Sequence, residues 1–471
     1  MTLTQIPTIP DRTRALDELR AAVTGVLTTP TDAGWDRARM PWSVTVVQRP
    51  LAVLEVRDAA DVQVAVRWAV EHGVQVTAQP VGHGATSTLE NVLLLRTRSL
   101  DTIAVDAAAR RVTVGAGVKA GELLAALEGT GLTYLPGSNP DPSVVGMTIT
   151  GGMSWFGRAY GLGANSILGA TLVDPFGRVL EVSATEHSDV FWAIRGGGGD
   201  FGIILSLDLA LHPGGDVYGG RILWPVAQMP AVLPAFREAT ETAPETLTLW
   251  YHTYQFPPDP AMPEFLRGQA FAALAVAYLG DPAEGERLLA PFRAIEGAVL
   301  DAVGVVPMAQ LAAIADEPTQ PMPFLDHSMF LDDLSDETID ALVGAIGEGS
   351  RSPLALLQIR HLGGAFSRSS EGDGAAGHLD QPYLLFTMGV PAAPGLAEAI
   401  AGAFAALDGM LAEHTDGRTV PNFLGTGGDL DRVWDAETRS RLAVIKRRID
   451  PLSTIRSNRP VLRVEEHRLR H

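Results

Sequence analysis

The sequence predicts an α+β fold built as more than one domain. Three observations carry this. The chain has 471 residues, more than one ordinary hydrophobic core accommodates. Up to Pro213, short runs of β-type residues alternate with stretches of helical spacing. Beyond Pro213 the β-type runs become longer and richer in aromatic residues, with helical segments between them. That second pattern suits one antiparallel sheet with helices on a single face.

Taken in order, residues 12–28 show helical spacing, and TTPTDAGWD breaks it. SVTVVQRPLAVLEV reads as short strands. DAADVQVAVRWAVEHG reads as a helix: Asp58 or Asp61 can cap it, Val62, Ala65 and Ala69 share a face, and Gly73 ends it. VQVTAQP is a strand that runs into VGHGAT. TIAVD and RRVTVGAGV form a hairpin-like pair, followed by a helix at AGELLAALEGTG. ATLVDPFGRVLEV is a hairpin with its turn at residues 174–177. SDVFWAIRGGGGDFGIILSLDLALHP gives a helix, a glycine loop and a long strand.

In the second half, GGRILWP, LTLWYHTYQFP, PLALLQIRHLGG and QPYLLFTMGV read as strands. QMPAVLPAFREATE, AEGERLLAPFRAI, ETIDALVGAIGEG and residues 394–414 read as helices. The last segment, from TVPNFLG to SNRPV, is a helix between two extended pieces.

Composition narrows the function classes. With 46% hydrophobic and 19% charged residues the chain is globular in type. A formal charge of −19 argues against general nucleic-acid binding, which rests on neutralising phosphates. The absence of cysteine removes disulfides, thiolate metal sites and thiol catalysis. No basic start followed by an apolar run stands at the N-terminus, and no apolar stretch reaches membrane-spanning length, so a cytoplasmic protein is expected. GAGVKAG misses the dinucleotide fingerprint spacing and reads as a tight turn. His467 and His471 stand at helical spacing but have no third ligand, so no metal is expected. There is no GxSxG elbow and no HExxH helix.

Three glycine-rich segments remain: VGHGAT around His83, GSNPDPSVVGMTITGGMSWFGRAYGLG at 137–163, and RGGGGDFG at 195–202. Such loops bring backbone N–H groups close to a phosphate or a flat ring. Three of them suggest a long ligand lying along backbone. Together with RHLGGA, PNF and IDPLSTIRSNRPV, these segments follow one another in an order that resembles the FAD-linked oxidases of the vanillyl-alcohol oxidase superfamily, within it the berberine bridge enzyme-like group. The likeness spans roughly residues 35–463, and DVFWAIRGGGGDFG is its most specific part.

The resemblance implies a two-subdomain FAD-binding domain of the PCMH type and a substrate domain whose antiparallel sheet covers the flavin. The corresponding limits are 1–213, with an N-terminal arm at 1–43, then 214–419, and a C-terminal segment at 420–471 that returns to the FAD domain. It implies a covalent bond from His83 to the flavin 8α carbon. Many members add a second bond from a cysteine; Asn139 stands in its place, so His83 is the sole possible tether of the two, and a less oxidising flavin is expected. The dinucleotide is expected along Val81, Gly82, Gly84, Ala85, Thr86, Ser138, Asn139, Val145, Gly146, Gly151, Gly152, Gly202 and Ile203, with Asn422 near the isoalloxazine.

The implied reaction is hydride transfer from a small secondary-metabolite-like substrate to the flavin, with dioxygen as the second partner and hydrogen peroxide as product. The family's usual tyrosine base is replaced by Val420. Replacements are sought on the substrate sheet among Trp250, Tyr251, His252, Tyr254, Arg360 and His361, of which Tyr251 and His252 are favoured. Alternation puts Trp250, His252 and Tyr254 on one face and Tyr251 on the other. Carbohydrate oxidation ranks lower because LTLWYHTYQF and PMPFLDHSMF look apolar. A dehydrogenase using another acceptor and a non-catalytic flavin-binding protein are the remaining readings.

Overall fold

A computed structural model describes residues 9–425 and 428–462 of the chain; His467 and His471 lie outside them. The strands fall into three main sheets. The first has the order Val26–Thr28, Ala52–Glu55, Val92–Arg96, Gln75–Ala78. Its last three strands run parallel. The helix Ala59–His72 covers it. Asp58 caps that helix by accepting from the N–H groups of Ala60 and Asp61, and Gly73 ends it at φ +63°. Asp61, the other candidate cap, is instead buried as a tether: its carboxylate accepts from the N–H groups of Thr24, Gly25 and Arg57.

Two expectations for this region change. The first helix is Ile9–Ala22, and residues 26–28 form a strand rather than helix. In SVTVVQRPLAVLEV only Ala52–Glu55 is a strand. The preceding residues are held by side chains instead: the buried Gln48 donates to Gln79 Oε1, Thr86 O and Asn458 Oδ1.

The second sheet is antiparallel, in the order Ile103–Asp106, Arg111–Gly115, Ile203–Ala210, Ile167–Val173, Val179–Ser183. The hairpin at 174–177 turns as its sequence dictates. Asp174 Oδ1 accepts from Phe176 and Arg178 N–H, and Gly177 takes φ +78°.

The third sheet has eight strands. Its main path is Leu300–Asp301, Val217–Pro225, Ala270–Tyr278, Leu247–Gln255, Leu356–His361, Tyr383–Gly389, Leu325–Leu331. Helices Met229–Thr242, Pro282–Arg293, Asp336–Ile346 and Leu396–Met410 contribute to a core on one face of it, with Phe236, Phe292, Leu342 and Leu407 against Leu249, Tyr251, Leu274 and Ile359. The central strand Ala270–Tyr278 was not legible in the sequence. It is covered on both faces, so AFAALAVAY lacks alternation, and alanine is a helix former by propensity.

The opposite face of this sheet meets the first half of the chain. Trp250 stacks on Trp155 with ring centroids 3.4 Å apart. Thr248 Oγ1 donates to Trp155 O at 2.5 Å. Arg158 reaches into the same junction. Its guanidinium donates to the carbonyls of Leu247, Ala243, Pro244 and Leu362 and to His361 Nε2. The C-terminal helix Ala436–Ile449 then returns to the first half. Lys446, fully buried, pairs with Asp450 and donates to Asp200 O and Ile455 O. Ile455 bridges to Val76 in the first sheet.

Candidate active site

The three glycine segments converge through a chain of specific bonds. Thr86 of the first donates its N–H to Asn458 Oδ1 and its hydroxyl to Asn458 O. The adjacent Ser457 N–H donates to Asp200 of RGGGGDFG, as does Val461 N–H. The N–H groups of Gly196 and Gly198 in that loop donate to Ile149 O, within the middle segment. Asn422 closes the cluster. Its Oδ1 accepts from Gly152 N–H at 3.0 Å, and its Nδ2 donates to Met147 O and Thr150 Oγ1. Gly151 and Gly152 take φ +119° and +75°, and a Cβ on Gly152 would lie 2.7 Å from Gly163 Cα.

His83 stands at the edge of this cluster. Its ring stacks on Trp42 at 4.3 Å, and Nε2 meets Asp141 Oδ2 at 3.3 Å. Asp141 also pairs with Lys119, and its pKa is lowered by hydrogen bonds from His83 and Lys119, which outweigh the opposing effect of burial. Asn139 is turned away: Nδ2 donates to Pro318 O and Oδ1 accepts from Asp141 N–H.

The remaining dinucleotide candidates divide in two. Val81, Gly82 and Gly84 are at least partly open, and among the described residues the N–H groups of Gly82, His83 and Gly84 have no hydrogen-bond partner. Ala85, Thr86 and Ser138 are buried beside them. By contrast, the side chains of Val145 and Ile203 belong to the core. Gly146 N–H is taken by Ser143 Oγ. A Cβ on Gly202 would come within 2.7 Å of Leu172 Cδ1, so that glycine serves close strand packing.

On the sheet, alternation holds. Trp250 is opposite Arg360 and His252 is opposite Gln358, so these four share the face toward Trp155 and Phe423. Tyr251 points to the helices. It is fully buried, its hydroxyl meets Thr253 Oγ1 at 2.9 Å, and burial drives its pKa up. The expectation that Tyr251 acts as base is therefore corrected: it is a core residue. His252 is on the right face but is not poised as a base. Gln358 Oε1 accepts from Arg360 Nε at 2.5 Å, which leaves the Gln358 amide to donate to His252 Nε2 at 2.6 Å. Burial, with Arg360 and Arg221 nearby, lowers the His252 pKa to about 3. His361 lies on the helix face, bound to Arg158. Val420 packs among Met153, Phe330 and Leu362.

Residues 50–183 match a family model described as an FAD binding domain. The (R)-6-hydroxynicotine oxidase of Paenarthrobacter nicotinovorans is 31% identical over 193 residues, 41% of this chain and 42% of that protein. An FAD-linked oxidoreductase of Dictyostelium discoideum is 26% identical over 354 residues, 74% of this chain and 75% of that protein. The chain is thus similar to FAD-linked oxidoreductases, and it spans less than half the length of the nicotine oxidase it matches. Its fold is that of 6-hydroxy-D-nicotine oxidase from Arthrobacter nicotinovorans, with a TM-score of 0.80 at 24% identity over 92% of this chain and 97% of the other.

An FAD-linked oxidoreductase needs a site shaped for the dinucleotide, and the residues around His83 fit one. Three consecutive backbone N–H groups there lack partners among the described residues. The Trp42 indole N–H, stacked beside His83, is buried without an acceptor. A Cβ built on Gly84 would meet nothing within 4 Å. Sequence reasoning missed Trp42, Asp141 and Gln358. Only the DP pair two residues after Asn139 hinted at Asp141, and nothing in the sequence pairs positions 42 and 83.

Proposed function

We propose that the chain is a flavin-dependent oxidase, with FAD bonded covalently through His83 alone and a small secondary-metabolite-like substrate placed against the sheet face of Trp250, His252 and Arg360. Dioxygen reoxidises the flavin and yields hydrogen peroxide. The domain limits proposed are 1–213, 214–419 and 420–471. The observation that carries the reading is the junction itself: glycine loops with unpartnered N–H groups, a histidine at their edge, and a sheet face of aromatic and cationic side chains directed at them.

Bound FAD supplies the hydride acceptor. The protein's own part is to hold and orient. Asp141 engages Nε2 of His83, which leaves Nδ1 as the nitrogen available for the bond. Asn422 fixes the turn at Gly151 and Gly152. The stacked Trp155 and Trp250 exclude water from one side of the junction.

The test is denaturation of the purified protein in acid followed by mass spectrometry of the peptide around residue 83. Retained flavin on that peptide supports the covalent bond; release of all flavin overturns it. Oxygen uptake matched by peroxide supports the oxidase, whereas substrate-driven flavin reduction without either points to a dehydrogenase.

Carbohydrate oxidation is the second reading. The sheet face carries Arg221, His252, Tyr254, Gln358 and Arg360, so it is more polar than LTLWYHTYQF suggests when read as a string. Alternation sends the apolar half of that segment to the helices.

A further inference from the structure

Arg360 is an unusual cation. It is 4% exposed, in the middle of the sheet face that meets the glycine loops. Its guanidinium lies over the Trp250 ring at 3.9 Å and over the Phe423 ring at 4.4 Å. Nε is committed to Gln358. Among the described residues, neither terminal nitrogen has a hydrogen-bond partner, and no carboxylate lies within ion-pair distance. Arg221, the other arginine of this face, differs: it is bound to Asp316 and to Ala315 O. Arg158 differs too, being saturated by backbone carbonyls.

Glu317 attracts this buried charge only from beyond ion-pair distance. A buried charge with no carboxylate in contact is costly, and stacking on two rings offsets that cost only in part. Burial lowers the guanidinium pKa to about 10, so the group stays protonated at neutral pH. The rings and the Nε bond fix the plane and leave the two outer nitrogens as a free fork. That fork has the geometry for bidentate contact with a carboxylate.

We propose that Arg360 is the anion-binding, specificity-determining residue of the substrate site, and that the substrate carries a carboxylate. His252 and Gln358 act behind it as positioning residues, holding Nε and hence the plane of the fork. This rests on the oxidoreductase reading for what the site does, but not for whether the site binds an anion.

The experiment titrates the purified flavoprotein with benzoate and with benzamide, its neutral counterpart of the same shape, at constant ionic strength. Tryptophan fluorescence, with Trp250 one of eight contributors, is compared with a Trp250→Phe variant to isolate its share, and flavin absorbance reports on the cofactor. Benzoate is expected to bind at least tenfold more tightly than benzamide. Arg360→Met is expected to abolish that preference, and Arg360→Lys to restore part of it without the fork. Far-UV circular dichroism checks that both variants fold; if Arg360→Met does not, Arg360→Lys alone decides by a reduced preference. Equal affinity for the two probes, no benzoate binding, or a preference unchanged in the variants overturns the proposal. A protein purified without flavin fails the oxidoreductase reading instead, and the fluorescence titration still decides the anion site.

Discussion

Replacing Arg158 with methionine should loosen the junction between the two halves of the chain. The guanidinium serves five acceptors. Two, the carbonyls of Ala243 and Pro244, belong to residues with access to solvent and can take water in its place. The other three, Leu247 O, Leu362 O and His361 Nε2, belong to residues at most 5% exposed. A sealed acceptor left without a donor costs roughly 1–3 kcal/mol. At the low end of that range the three together cost about 3–4 kcal/mol. Methionine fills most of the volume, so little cavity cost is added. Relief of the arginine's own burial returns part of the loss, which sets the expectation near ~3 kcal/mol. Urea unfolding followed by far-UV circular dichroism measures it, with tryptophan fluorescence as a second probe because a chain of this size need not unfold in one step. Arg158→Lys should recover little, since an ammonium cannot span acceptors on separate strands. A shift below about 1 kcal/mol for Arg158→Met would refute the staple.

Three further outcomes are expected. Gly157→Ala places a Cβ 1.7 Å from Phe366 Cζ, so it should destabilise by roughly 3 kcal/mol or more, and Phe366→Leu should relieve it; thermal melts of the single and double variants show whether the two are coupled. Lys446→Met leaves Asp450 buried without its cation and should cost roughly 3–5 kcal/mol by the same unfolding measurement. His252 has a folded pKa near 3, below the unfolded value of 6.5, so its contribution is present above pH 6.5 and is lost as pH falls toward 3. The loss cannot exceed ~1.4 kcal/mol per pH unit for one proton, and a His252→Gln variant should show a shallower acid slope than the parent.

Much of the first half was legible because local chemistry decided it. Asp58 and Gly73 bracket their helix without help from distant residues, and Asp174 builds its own turn. The strand Ala270–Tyr278 was missed because burial on both faces erases the alternation that marks a strand. At the site, His83 and Asn422 could be named from motif order. Tyr251 could not be separated from His252 until the register with Leu356–His361 fixed which face is which. The pairing of Trp42 with His83 and of Gln358 with Arg360 depends on tertiary packing, which no spacing rule encodes.

The route of the C-terminal segment has a consequence for the order of assembly. Gln48 and Thr86 are both held by Asn458, and Asp200 receives Ser457 and Val461. The partners in these bonds are separated by 257 to 410 residues. Contacts of such range form late, since the chain between them must be gathered first. During synthesis from the N-terminus, the loop that carries His83 is complete long before the residues that brace it emerge. The sheet that faces it has also been made by then. The loop that carries His83 is thus braced last, by residues that emerge after the rest of the scaffold has been made.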